Sequence, residues 1–546
     1  MTAVATHPAT VRGGAAHLAG TASLLRLALR RDRLMIPAWV LVMGFSLVSV
    51  GSSLQALYDT DAKRAELAHS MAGNGSLRAL YGPVFSDSLG GLVAWRVGGF
   101  AAVLAGVMSL LIVVRHTREE EEAGRQELLS AAMVGRRAPL TAGLLAALTA
   151  NAGLALIITA GLTAAGRPLP GSLALGLGIG GTGLLFAGVA AIAAQLTESA
   201  RAAKGLTGAV LGLAFVLRAA GDAAGQDGSS PLTWISPLGW AEHIRPYAGE
   251  RWWAAGLLLA GTALAVGAAY TLTARRDLGM SFIPARPGPA RASGWLGGVF
   301  GLAWRLQRAT VLGWVLGFAF AGAVFGGIAD GAADLVGGNR RTREIIERMG
   351  GQQGLSEAFL ATMIGLLGMV AAVYATGSVL RLRGEETGDR AEPVLATAVG
   401  RLRWAASHLV LAFLGTAAVM AVGGTALGIG YGIAVEDVAG QLGPVVGAAL
   451  AQVAAIWVLT GFAVLLFGVL PRATPAAWAA VGVSLAIGWM GPALKLPQAA
   501  MDLSPFSHLP KLPGQEAHAT PFLWLLALAA LFVGVGLAGL RRRDMG

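Results

Sequence analysis

The 546-residue chain contains no cysteine, so disulfides, thiolate nucleophiles and cysteine-ligated metals are excluded together. Charge is scarce as well: Asp, Glu, Lys and Arg make up only 13% of the residues. Lysine occurs four times, as Lys63, Lys204, Lys495 and Lys511, and none of them completes GxxxxGK[ST]. Without that phosphate-cradling loop, the chain is not expected to hold or hydrolyse ATP by the P-loop route. The eight histidines show no metal-ligand spacing, and neither HExxH nor GxSxG occurs, so no catalytic residue, metal site or bound cofactor is expected. GLGIGG at Gly176 to Gly181 matches a dinucleotide-binding pattern formally, but it lies inside an apolar run with no strand before it. It reads as small residues that let membrane helices approach closely.

What the chain does have is hydrophobic length. With 55% hydrophobic residues, it has the composition of an integral membrane protein. Apolar runs long enough to cross the hydrocarbon core recur about twelve times, at residues 36 to 56, 97 to 114, 138 to 163, 170 to 195, 205 to 222, 252 to 273, 310 to 329, 357 to 380, 404 to 433, 443 to 470, 475 to 493 and 521 to 540. The expected fold is all-α and polytopic. Basic residues concentrate on the side of the N-terminus, including Arg26, Arg30, Arg31, Arg33, Arg275, Arg276 and Arg541 to Arg543, which predicts both termini in the cytosol. The net charge of +11 is then a topology signal, and nucleic-acid binding is not needed to explain it. No short apolar stretch with a small-residue cleavage site opens the sequence, so no secretory signal peptide is expected.

The sequence repeats itself. Glu119 to Arg136, beginning EEEEAGRQELL, has a counterpart in EETGDRAEPVLATAVGR, Glu385 to Arg401. Their last ten positions match without a gap and pair Glu127 with Glu392, Gly135 with Gly400 and Arg136 with Arg401. Arg30, Arg33 and Trp39 match Arg305, Arg308 and Trp314; RRDLG at Arg275 matches RRDMG at Arg542; Ser236-Pro237 matches Ser504-Pro505; MAGNGSLRAL at Met71 matches MGGQQGLSEAF at Met349. Two parallel six-span halves are predicted, residues 1 to 281 and 295 to 546, joined by a Pro/Gly-rich linker at 282 to 294.

Three groups of charge stand out. Ahead of the first span, Arg26, Arg30 and Arg33 are expected on one face of an interfacial amphipathic helix, with Leu18, Ala22, Leu25 and Leu29 on another. The acidic clusters follow the second span of each half. Anionic headgroups offer them no favourable surface, so they are expected to face water or another protein. Within the membrane, Arg218 and Asp222 fall one turn apart and Arg96 opens the second span. Charges there are candidates for a pathway or for an anchoring ion pair.

With its basic segment before span one, its ExGRxELL-like helix at Glu122 to Leu129 and its RRDLG closure, nearly the whole chain resembles the two-fold permeases of ABC-2-type exporters of the actinobacterial polyketide-antibiotic and tetronasin-resistance kind. The resemblance implies that Glu119, Glu120, Glu121, Glu122, Gly124, Arg125 and Glu127, with Glu385, Glu386, Gly388 and Glu392, form two coupling helices. It further implies that these dock on two copies of a separate cytosolic ABC ATPase, which would bind ATP and Mg. Pairing Gly124 with Gly388 places Asp389 where the first copy has Arg125, and Pro393 interrupts the second helix, so unequal docking sites are expected. The implied function is export of hydrophobic or amphipathic small molecules, such as antibiotics or drugs, across the cytoplasmic membrane. A twelve-span drug/proton antiporter is the alternative, against which stands the lack of a buried carboxylate series for proton relay. A membrane-embedded enzyme acting on lipids lacks clustered catalytic residues.

Overall fold

A long apolar segment can satisfy its backbone groups inside hydrocarbon only by forming helix, and helix is what the described residues form, with no strand among them. The computed structural model describes residues 16–73, 75–125, 134–225, 227–277, 279–283, 293–294, 297–329, 355–494 and 497–544. Most of the expected linker at 282 to 294 lies outside them, as does Glu127. Two compact units divide the chain, Met1–Pro287 and Gly288–Gly546.

In the first unit a short helix α1 (Thr21–Arg31) precedes α2 (Met35–Leu57). Two short helices, α3 (Asp61–Gly73) and α4 (Gly75–Tyr81), lead into α5 (Leu89–His116), whose N-cap Ser88 accepts from the Gly91 N–H. Then come α6 (Arg118–Glu122), α7 (Ala138–Ala164), α8 (Leu169–Leu196), α9 (Ala200–Ala224), the short α10 (Pro231–Ile235) and α11 (Pro237–Glu242), and α12 (Trp252–Arg275). The centre is α8, which packs against α5, α7 and α12. Its glycines explain the closeness: a Cβ added at Gly176 would come within 2.7 Å of the Ala155 carbonyl and the Thr159 hydroxyl on α7. The GLGIGG run is therefore a helix-packing surface.

In the second unit α13 (Val299–Ala329), α14 (Leu355–Thr387), α15 (Ala391–Leu395), α16 (Arg401–Ala434), α17 (Val438–Val469), α18 (Ala476–Leu494), α19 (Gln498–Met501) and α20 (Ala519–Arg542) follow one another. Here α17 takes the central place, against α14, α16 and α20. Among the described residues, eleven helices are long and apolar enough to cross a membrane. The chain is an all-α polytopic membrane protein. The remaining expected span, 475 to 493, falls on α18, of which Ala476–Gly488 counts as a shorter apolar helix among the described residues.

Candidate functional site

At the end of α5 the backbone breaks at Thr117, with φ −124° and ψ −82°, and α6 carries the four consecutive glutamates. Each has a partner in the first unit. Glu119 pairs with Lys204 on α9, and the Glu122 Oε2 accepts the Ala200 N–H at 3.0 Å, at the first turn of α9. Glu120 pairs with Arg31 at the end of α1 and receives Arg125 Nε at 2.7 Å and Nη2 at 2.9 Å. Glu121 takes Arg118 and Arg276, the latter with Nη1 at 2.9 Å from Oε2. The side chains of Glu121, Arg118 and Arg276 are 8%, 2% and 6% exposed. The expectation that the acidic cluster faces water or another protein is not met at Glu121, which is turned inward and fastens the end of α5 to the end of α12.

The second unit repeats the device. Glu386 is gripped by Arg543, with Nη1 at 2.8 Å and Nη2 at 2.9 Å, and by Arg383 Nη1 at 3.2 Å. Glu385 takes Arg390 Nε at 3.0 Å and Arg381 Nε at 3.6 Å. The Arg401 Nη1 donates to the Arg543 carbonyl at 2.7 Å, as Arg136 does to the Arg276 carbonyl. Both Glu385 and Glu386 are buried.

These partners correct the alignment of the two copies. Arg390 holds Glu385 as Arg125 holds Glu120, and Asp389 and Gly124 share a left-handed backbone, with φ of 56° and 69°. Gly124 therefore corresponds to Asp389, not Gly388, and the arginine is kept. What the second copy loses is Glu119 and Glu122, replaced at the same register by Gly384 and Thr387. The ties that α6 makes to α9 have no carboxylate to make them there. Pro393 sits in the first turn of α15, where its missing N–H costs no helical bond, with Glu392 beside it and exposed.

In α1, Arg26 and Arg30 are exposed, while Arg33 lies past the helix end in the turn to α2, so the three do not share one helical face. Asp32, also in that turn, is buried and bound by Arg115 at 2.8 Å and His116 at 2.7 Å.

The membrane charges meet at the opposite end of the first unit. Arg218 Nη1 lies 3.1 Å from Asp222 Oδ2 and 3.6 Å from Glu242 Oε2, and its Nη2 donates to the carbonyls of Ala79 at 3.0 Å and Leu80 at 3.1 Å. Thr233 donates to Asp222 Oδ1 at 2.8 Å. Arg78 reaches from α4 to the carbonyls of Asp222 and Ala223 at 3.1 and 3.0 Å. With Arg218 and Asp222 1% and 0% exposed, this pair does not reach for water; it joins α4, α9 and α11. Burial first, then the neighbouring Asp222, pushes the Glu242 carboxyl well above its ordinary value. Arg96 is not part of this cluster: it lies two turns inside α5, exposed, with its guanidinium 4.5 Å from the Tyr81 ring centre. Among the described residues, no group of three or more His, Asp and Glu could hold a metal ion.

Among the partners unread in the sequence, Arg276 and Arg543 recur within RRDLG and RRDMG and were findable from that repeat, whereas Glu242, at the end of α11, has Pro510 at the matching position of the second half and gave no signal.

Eleven candidate spans among the described residues, in two units each closed at one end by a buried glutamate–arginine clasp, make a polytopic membrane protein, and its relatives place it in the family of multidrug efflux system permeases. It is 44% identical over 540 residues to the multidrug efflux system permease protein Rv1217c of Mycobacterium tuberculosis (strain ATCC 25618 / H37Rv), an alignment covering 99% of this chain and 97% of that protein. Residues 296–541 match the model of the C-terminal domain of the multidrug efflux system permease Rv1217c.

Proposed function

We propose that the chain is the transmembrane permease of an ATP-driven exporter of hydrophobic or amphipathic compounds, powered by two copies of a separate cytosolic ABC ATPase, one docked at each acidic segment. The observation that carries this reading is the clasp made twice, by Glu121 with Arg276 and by Glu386 with Arg543. Each fastens the segment after the unit's second spanning helix to the end of its last one, so a push on that segment moves two spanning helices together. The buried acids supply rigidity, and the half-buried Gly124 with the exposed Arg125, Gly388 and Glu392 are left to meet the partner. Glu127, which lies outside the described residues, belongs to the same proposed surface. ATP and Mg would bind the partner only. The name of the relative, an efflux permease, supports export over import, and the basic ends support cytosolic termini in the cytoplasmic membrane.

The test is isolation of the tagged chain from the membranes of its own cells, followed by native mass spectrometry. The expected complex carries two ABC ATPase subunits per chain. A chain recovered intact without any ATPase contradicts the proposal.

A further inference from the structure

In the second unit, at the end of α14 away from the acidic segment, the stretch that follows α18 walls a cavity of about 230 Å³ against α14, α17 and α18. Its lining is mixed. Met369, Ile487, Met501 and Phe506 give it apolar walls, while Gln452, Ser504 and Lys511 give it polar ones. Among the described residues Lys511 has no ion-pair or hydrogen-bond partner for its ammonium, and no Asp or Glu lines the cavity. Glu357 packs by Gly514 and is not among the lining residues. Gln452 is 6% exposed, and the buried Ser504 hydroxyl has no hydrogen-bond partner. Lys511 is half-buried, and that burial lowers its ammonium below its ordinary value.

The first unit shows what a matched version looks like. Aligning Ser236-Pro237 with Ser504-Pro505 sets Glu242 on Pro510 and His243 on Lys511. There the corresponding stretch lines a smaller cavity of about 60 Å³, and its one carboxylate, Glu242, is answered from inside the chain by Arg218 at 3.6 Å. Lys511 has no such internal answer. A carboxylate entering this cavity would meet charge, hydrogen-bond donors and apolar surface together.

We propose that this cavity binds the acidic end of an amphipathic organic carboxylate, with Lys511 as counter-ion, Gln452 and Ser504 as hydrogen-bond donors and Met369, Met501 and Phe506 against its apolar body. At about 230 Å³ it is smaller than the roughly 300–1,000 Å³ of pockets that engulf a drug-sized molecule, so it takes the head and first part of the ligand. That such a compound is cargo rests on the export reading; that it binds does not.

The full-length chain in phosphatidylcholine nanodiscs, without its partner, is titrated with dansyl-aminoundecanoic acid and followed by fluorescence. Saturable binding is expected, weakened about ten- to hundredfold in Lys511→Met, retained in Lys511→Arg, and unchanged in Lys63→Met. The methyl ester of the probe should bind wild type and Lys511→Met alike. Gly365→Leu provides a second route, since a Cβ at this lining position meets nothing within 4 Å and a longer side chain there takes up space in the cavity. Binding equal to wild type in both Lys511→Met and Gly365→Leu overturns the proposal, as does displacement of the probe by phosphatidylglycerol but not by decanoate. Because no ATPase is present, failure here leaves the export reading standing, and failure of ATP-driven export leaves this result untouched.

Discussion

Glu121 carries the heaviest consequence of any single side chain at the acidic segments, because its loss strands two buried guanidinium groups. Breaking a buried pair from one side costs about 3–5 kcal/mol, whereas an exposed pair is worth under about 1 kcal/mol. Glu121→Gln should therefore lower the melting temperature of the purified chain sharply, Glu386→Gln should do the same, and Arg125→Ala, whose side chain is 49% exposed, should barely move it. Equal, small effects would return these acids to a solvated surface. His243 makes a second test. Burial against the Trp234 ring, stacked at 4.0 Å, lowers its imidazole to about 4, with Arg245 and Arg251 adding to the effect and Asp227 opposing it. From pH 6.5 down to about 4 the unfolded chain takes up a proton there that the folded chain does not, so stability present above pH 6.5 is lost as the pH falls through that window. At pH 5 the loss is about 2 kcal/mol. Glu242, raised rather than lowered, contributes in the opposite sense, so the comparison must be with His243→Gln. The melting-temperature advantage of wild type over that variant should shrink between about pH 7.5 and about pH 5; a constant difference would mean that His243 does not titrate as described.

Among elements, the asymmetry between the two copies lies in what α6 holds. The Ala200 N–H at the start of α9 is an unpaired helix-terminal donor that Glu122 satisfies, in addition to the Ser199 cap, and such contacts are worth about 0.5–2 kcal/mol. Glu122→Ala should speed hydrogen exchange at residues 200 to 204, while Thr387→Ala should leave the residues before α18 unchanged; identical responses in the two units would contradict the assignment. The repeat itself was legible at long range, because Glu127 and Glu392 align without a gap. It slipped by one residue near Gly124, since glycine was matched to glycine. Backbone conformation sets the true register, and both glycine and aspartate tolerate the left-handed turn there. The spans were legible because hydrocarbon imposes a length. Their starts were less so: α5 begins at Leu89, eight residues before the apolar run, because Ser88 caps it, and Arg96 thus lies inside the helix it was expected to open. Asp222, one turn along α9, was legible as a partner of Arg218, but its other partners were not, for Glu242 and the carbonyls of Ala79 and Leu80 come together only through folding.

At the scale of the molecule, the internal duplication and the missing P-loop support the same proposal: two similar units without a P-loop, each with a buried glutamate–arginine clasp through which a partner would move two helices together. The most direct test is transport in proteoliposomes that hold this chain with and without its partner ATPase, with ethidium as the dye. The account predicts dye movement that requires ATP and both proteins and that stops when the partner's catalytic glutamate is replaced. Dye movement by the purified chain alone, driven by a proton gradient, would contradict it and assign the chain to the antiporters.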